Sequence, residues 1–203
     1  MIIIVNYGMG NLNSVKRKLA RLGVDALISN LPSDISKADK LILPGVGHFQ
    51  KAVENLKQLQ LWEILNDIVL VKKKPILGIC LGMQLMALRS EEGNVEGLGW
   101  FDAEVVKFRV KDFLTHKVPH TGWNQIIKLK ESPLMNDIPD LSEFYFVHSY
   151  HFRCNNLADI LNETEYEYKF TSAVEKENIF GVQYHPEKSH DIGEKLLKNF
   201  IDL

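Results

Sequence analysis

The residue types best suited to chemistry sit in two short segments far apart in the chain. Gly78-Ile79-Cys80-Leu81-Gly82 places a cysteine between two glycines, after the apolar run Ile76-Leu77 and ahead of Met83. This is the pattern of a nucleophile elbow, a sharp strand-to-helix turn, with a thiol in place of the usual hydroxyl. The glycines are needed because flanking backbones approach closely, and the nucleophile takes a strained backbone conformation. A helix predicted over Met83 to Arg89 would set partial positive charge near the sulfur. The Leu81 amide is then placed to donate to an oxyanion. Taken alone, a buried inert cysteine in a glycine turn is the competing reading.

The second segment is Gln183-Tyr184-His185-Pro186-Glu187. A thiol nucleophile needs a base within reach and a carboxylate that holds the base in one tautomer. Pro186 biases His185 towards extended geometry, and side chains two apart on an extended segment share a side, so Glu187 can reach the ring. Cys80, His185 and Glu187 are therefore the candidate catalytic triad. A third segment, Pro44-Gly45-Val46-Gly47, offers the Val46 amide as a second oxyanion donor beside that of Leu81. One such donor is worth roughly 3 kcal/mol in a transition state. A phosphate-binding loop is the weaker alternative, because no Lys-Ser/Thr pair follows at P-loop spacing.

These residues need a scaffold that brings strand ends together. Ile2 to Val5, Leu41 to Leu43 and Ile76 to Ile79 are continuous apolar runs, as in strands covered on both faces. Helical spacing follows over Asn11 to Leu22, closed by Gly23, and over His48 to about Lys72 in two pieces. Ala26 to Ile28 is a further short strand. The second half offers strands at Ala103 to Phe108, Gln125 to Leu129, Glu143 to His148, Ser172 to Glu175 and Ile179 to Gln183, then a helix over about Asp191 to Ile201. Strand–helix alternation implies an open α/β fold: a mostly parallel mixed sheet flanked by helices, flavodoxin-like, with its ligand at the carboxyl edge. No linker divides the chain, and residues 1–203 are expected to form one domain.

The bulk composition narrows the function classes. The 203 residues carry a net charge of -2, which favours neither nucleic acid nor an anionic membrane as partner. With two cysteines, Cys80 and Cys154, there is no disulfide framework. Met1 to Tyr7 lacks the basic flank of a signal peptide, and no apolar run approaches the roughly 18 residues of a membrane span. A cytoplasmic location is expected.

Together the three segments resemble the class I, or triad, glutamine amidotransferases. Within that class the chain is most similar to the glutaminase subunits of imidazole-glycerol-phosphate synthase, of histidine biosynthesis. Asn6-Tyr7-Gly8-Met9-Gly10-Asn11-Leu12, Val118-Pro119-His120-Thr121-Gly122-Trp123-Asn124, Phe146-Val147-His148-Ser149-Tyr150 and Glu187-Lys188-Ser189 carry the closer likeness. The resemblance implies Cys80 as nucleophile, His185 as base and acid, and Glu187 as orienter. It implies that Gly47, Gln84, Glu92, His148, Ser149 and Tyr150 surround L-glutamine, and that no metal or cofactor takes part. It further implies a heterodimer with a (β/α)8-barrel cyclase subunit that receives the ammonia, with Asn11, Trp123 and Lys188 at or near the interface. Such glutaminases are nearly idle until the partner binds its nucleotide ligand, and a rotatable Gly45-Val46 peptide is the candidate switch.

Some residues depart from the pattern. Asn6 stands where the family often has an acidic residue, and Thr121 and Ser149 are mild variants. His116 and the stretch Phe108 to Phe113 match nothing in it, and Lys107 to Val118 is the least legible region. Paralogous glutaminases that feed surface-sugar synthesis share the triad, and the aromatic after Tyr150-His151 leans towards them. Three other readings remain: a stand-alone cysteine amidase or peptidase, a non-catalytic flavodoxin-like binding module, and a metal site at His148 and His151 whose third ligand is not evident.

Overall fold

A computed structural model of the chain describes residues 1–112 and 114–203; Phe113, within the stretch that matched no family pattern, lies outside the described residues. The first half alternates β1 (Ile2–Val5), α1 (Leu12–Arg21), β2 (Leu27–Ser29), α2 (Pro32–Ile35), β3 (Lys40–Gly45), α3 (Phe49–Gln58), α4 (Leu61–Asn66), β4 (Ile76–Cys80) and α5 (Leu81–Gln84). The second half holds β5 (Arg89–Ser90), β6 (Val95–Glu96), β7 (Ala103–Lys107), β8 (His120–Gln125), β9 (Ile127–Lys128), β10 (Glu143–His148) and β11 (Tyr150–Cys154). It continues with β12 (Ile160–Tyr166), β13 (Tyr168–Lys176) and β14 (Ile179–Val182), and closes on α6 (His190–Asp202).

One sheet runs β2-β1-β3-β4-β14-β13-β11-β7-β5-β6, extended by β12 beside β13 and β9 beside β12. From β2 to β14 all neighbours are parallel. From β14 onward the pairing is antiparallel apart from β5 with β7. β8 and β10 form a separate antiparallel ribbon. The expected mostly parallel, helix-flanked mixed sheet is therefore present.

The apolar runs explain the parallel half. Every residue of β1, β4 and β14 is buried, because both faces of the sheet are covered. Ile3, Val5, Leu41 and Leu43 face Phe49, Ala52 and Leu56 of α3. Ile2, Ile4, Ile42 and Leu77 face Val15 and Leu19 of α1 and Leu196, Leu197 and Phe200 of α6. Among the described residues, no helix is long and apolar enough to cross a membrane.

Several element boundaries differ from expectation. The helix expected over Met83 to Arg89 is the single turn α5, and Arg89–Ser90 is a strand beside β7. It stops early because the carbonyls of Leu85 to Leu88 accept hydrogen bonds from residues Gly97 to Phe101 instead of from a continuing helix. The helical stretch from His48 divides at Gln60, which is left-handed (φ 57°), and ends in a π turn over Asp67–Val71. The strand expected at Ala26 to Ile28 lies one residue later. Gln125 to Leu129 is not one strand but the end of β8 and the short β9.

The elbow region contains the tightest backbone approaches. A Cβ on Gly82 would lie 1.7 Å from the Leu43 carbonyl oxygen, whereas one on Gly23 would meet nothing within 4 Å. Gly82→Ala should therefore cost at least about 3 kcal/mol in urea unfolding, at the upper end of overpacking penalties. Gly23→Ala, strained only by its positive φ, should cost about 1–2 kcal/mol.

Candidate active site

Cys80 ends β4 at φ 54°, ψ -108°, a conformation that L side chains rarely adopt. A Cβ on Gly78 would come within 2.7 Å of the Met83 nitrogen, so this glycine, like Gly82, is there to let α5 fold back onto the strand end. Only one helical turn stands behind Cys80, so the expected macrodipole is replaced by the few amides of the elbow and by charged neighbours.

The chief neighbour comes from β14. Val182 is the register partner of Ile79, so the residues just past β14 lie beside Cys80. Gln183 donates from Nε2 to Cys80 Sγ at 3.4 Å. His185, about 1% exposed, holds Glu187 Oε1 at 2.8 Å through Nδ1. The expected pairing is present, but by a different backbone route. His185 is extended (φ -105°, ψ 92°), whereas Pro186 to Lys188 form a 3-10 turn that curls Glu187 back to the ring. Ser189 supports the turn by donating to the His185 carbonyl at 2.6 Å while accepting from the Tyr145 amide at 3.0 Å.

Burial works against a charged His185 ring, but the Cys80 sulfur and the Glu187 carboxylate outweigh it and push the imidazole up to about 10. His185 Nε2 has no partner within hydrogen-bonding geometry.

On the other side of the sulfur opens a cavity of about 310 Å³. Its walls are Val46, Gly47, Cys80, Leu81, Gln84, Glu92, His148, Ser149 and Tyr150, with Pro119 and Val147. Both oxyanion candidates and all six glutamine-pocket candidates thus meet at one space, whereas His185 and Glu187 lie buried behind its wall. β3 brings Gly45 opposite Cys80, which sets Val46 beside the elbow. Gly45 can carry no side chain, since a Cβ there would lie 2.0 Å from the Tyr7 hydroxyl. Glu92 accepts the first amide of α3, from Phe49, at 2.7 Å, which anchors its carboxylate at the rim.

Gln84 turns its amide inward, donating to the Tyr150 carbonyl and to Gln183 Oε1, both at 3.0 Å. Gln183 thereby links Gln84 to Cys80, a role the sequence reading missed. Its only signal was position, two residues ahead of His185.

Trp123, 44% exposed, stacks on His190 at 4.9 Å, and Lys188 Nζ lies 5.3 Å above the Tyr145 ring. They form an exposed aromatic and basic patch outside the triad. Asn11 instead caps α1, accepting from the Ser14 amide at 3.3 Å. No group of three or more His, Cys, Asp or Glu side chains is arranged to hold a metal among the described residues.

A strained cysteine on an elbow, a buried imidazole–carboxylate pair behind it and a cavity in front form the arrangement of a triad-type acyl-transfer site on an open α/β sheet. The chain belongs to the class-I glutamine amidotransferases, whose family model matches residues 3–203. It is 52% identical to the imidazole glycerol phosphate synthase subunit HisH 2 of Methanococcus maripaludis, over 99% of this chain and 98% of that one. It is 47% identical to the subunit of the same name in Pseudomonas aeruginosa, over the full length of both. A glutamine amidotransferase from Thermotoga maritima shares the fold, with a TM-score of 0.63 at 16% identity over 99% of this chain and 82% of that one.

A raised His185 pKa means the ring stays protonated through neutral pH and releases its proton only near pH 10. In Cys80→Ala, burial still opposes the charge while the strongest influence favouring it is gone. The NMR titration of the His185 ring should then move down by more than one pH unit. A midpoint near 6.5 in the unaltered protein would refute the ion-pair description.

Proposed function

We propose that this chain is the glutaminase subunit of an imidazole glycerol phosphate synthase, hydrolysing L-glutamine to glutamate and passing ammonia to a cyclase subunit. The observation that carries the reading is the His185–Glu187 pair set behind Cys80 at the wall of the cavity. Full-length identity of 47–52% to subunits of that synthase supports the choice of pathway.

The geometry supports the following residue roles. The Cys80 sulfur attacks the side-chain amide carbon of glutamine. The amides of Val46 and Leu81 receive the developing oxyanion. His185 gives its Nε2 proton to the leaving nitrogen, ammonia departs, and a γ-glutamyl thioester remains. Water then attacks the thioester, His185 takes its proton, and glutamate leaves with the Cys80 sulfur restored. Glu187 keeps Nδ1 of the ring occupied, so that Nε2 is the nitrogen in use. Glu92 offers its carboxylate to the substrate ammonium, and the backbone of His148 to Tyr150 fixes the substrate carboxylate. Gly47 and Gln84 close the remaining walls.

The partner is a (β/α)8-barrel subunit, and the patch of Trp123, Tyr145, Lys188 and His190, together with Asn11, is its docking face. Rotation of the Gly45-Val46 peptide couples the partner's ligand state to the oxyanion donors. A second reading, a subunit serving surface-sugar synthesis, uses the same triad. The numbered names of the relatives, HisH 2 in both organisms, are the observation that favours keeping it. The product formed by the reconstituted complex separates the two.

In that complex, Cys80→Ala should abolish glutamine-dependent synthesis while added ammonium still supports it; loss of both would contradict a separate ammonia acceptor. Glu187→Gln should lower glutamine turnover on the order of a thousandfold, by freeing the wrong tautomer. Adding the barrel subunit with its nucleotide ligand should raise glutamate release, and unchanged turnover would eliminate the proposed switch.

A further inference from the structure

His120 has no part in the mechanism above, yet it is buried and set in a hydrogen-bonded chain whose every proton can be placed. β8 and β10 pair His120 directly opposite His148. His148 Nδ1 lies 2.8 Å from the Tyr150 carbonyl oxygen, which can only accept, so Nδ1 carries the hydrogen. Burial holds both rings neutral at ordinary pH, His148 well below the usual range and His120 at about 4. His148 Nε2 is then an acceptor, and His120 Nδ1, 3.0 Å away, must donate to it. His120 Nε2 is an acceptor in turn, and Asn124 Nδ2 donates to it at 3.3 Å.

The Asn124 amide is oriented independently of the rings. Its oxygen accepts from the Gln125 amide at 2.8 Å, and its nitrogen donates to the Glu165 carbonyl at 2.9 Å. Backbone groups thus fix both ends of the chain, and only one proton order satisfies it. Packing holds the rings as well: Tyr166 and Phe146 stack on His120 at 4.0 and 4.9 Å.

The chain ends on the wall of the substrate cavity. The Tyr150 carbonyl receives two donors, His148 Nδ1 and Gln84 Nε2, which uses both of its lone pairs. That peptide is pinned where β10 passes into β11, and Ser149 and Tyr150 there line the cavity. Gln84 continues through Gln183 to the Cys80 sulfur.

We propose that His120 is a positioning residue for glutamine: through His148 it fixes the Ser149–Tyr150 backbone and Gln84, and so shapes the subsite that holds the amino-acid end of the substrate. The inference rests on the glutamine reading of the cavity. His120 touches neither substrate nor reacting atoms. Without its donated hydrogen bond, His148 Nε2 is a buried acceptor with no partner; the ring then gains by turning or changing tautomer, and the Tyr150 carbonyl loses one of its two anchors.

Two alkylating agents for Cys80 separate this role from general damage. A diazoketone analogue of L-glutamine must be recognised by the whole pocket before it reacts, whereas iodoacetamide need only reach the sulfur. In the complex with the barrel subunit and its nucleotide ligand, His120→Phe keeps a flat ring but removes the donor, and His120→Asn places an amide nitrogen where Nδ1 stood. His120→Phe should raise the half-saturating concentration of the diazoketone about tenfold or more, consistent with losing a buried hydrogen bond. Its limiting inactivation rate and its iodoacetamide rate should stay within about twofold of wild type, and His120→Asn should recover most of the loss. An unchanged half-saturating concentration in His120→Phe, equal slowing by both reagents, or no recovery in His120→Asn overturns the proposal. If unaltered protein reacts with iodoacetamide but does not recognise the diazoketone, the glutamine reading itself fails, and the positioning role falls with it.

Discussion

β4 and β14 run side by side in the same direction, with Gly181 opposite Gly78 and Val182 opposite Ile79. That register puts the chain leaving one strand, at Cys80, next to the chain leaving the other, at Gln183 to His185. The paired glycines are part of the same device. A Cβ on Gly78 would lie 2.7 Å from the Met83 nitrogen, and one on Gly181 would lie 2.7 Å from Met83 Cγ. Two adjacent strands thus give up their side chains at one level, so that α5 can lie down across the seam. A shift of one residue in this register would exchange buried faces all along β14 and turn His185 away from the sulfur. The proposed chemistry therefore depends on backbone pairing, and the side chains of the candidate triad inherit their positions from it.

The strain at Cys80 is held by the same packing. A positive φ at a non-glycine residue costs on the order of 1–3 kcal/mol and persists only where its surroundings over-determine it. Here the Leu43 carbonyl lies against Gly82, Gly45 pairs opposite Cys80, and the Tyr7 hydroxyl fills the space where a Gly45 side chain would stand. The oxyanion loop and the elbow therefore brace one another. Any rotation of the Gly45-Val46 peptide takes place at a residue whose lack of a side chain is enforced by its neighbours.

Much of this was legible in the sequence, for a definite reason. Strands covered on both faces must be apolar throughout, and β1, β3, β4 and β14 announce themselves that way. β11 and β12 do not, because their buried positions include polar side chains. His151 is satisfied by Tyr168, the Asn162 oxygen accepts from the Tyr184 hydroxyl at 3.1 Å, and Thr164 donates to Ser172 at 2.9 Å. A buried polar residue with a distant partner looks like a surface residue until the partner is known. The early end of α5 was hidden for a similar reason, since the carbonyls of the residues just past it, Leu85 to Leu88, are claimed by residues Gly97 to Phe101. Cys80, His185 and Glu187 could be found because two of them lie within three residues and the third has glycines around it. Gln183 and His120 could not, because everything that gives them meaning is brought in by the fold.

The three buried histidines nearest the site show how far environment, and not residue type, decides chemical capacity. His120, His148 and His185 are all almost wholly removed from water, which disfavours the imidazolium in each. His120 and His148 have only neutral partners: each other, an amide and a carbonyl. No charged partner offsets the cost of charge, and the Tyr150 carbonyl does so only in part, so they remain neutral donors and acceptors, fit to hold a backbone still and unable to supply a proton near neutral pH. His185 has a carboxylate on one nitrogen and a sulfur near the other, and these reverse the balance. The proton is thus held on the one ring beside Cys80, while the rings of His120 and His148 stay neutral. Cys80 contributes most to that reversal and Glu187 adds to it, so exchanging Glu187 for a neutral partner would move His185 part of the way towards the condition of the other two.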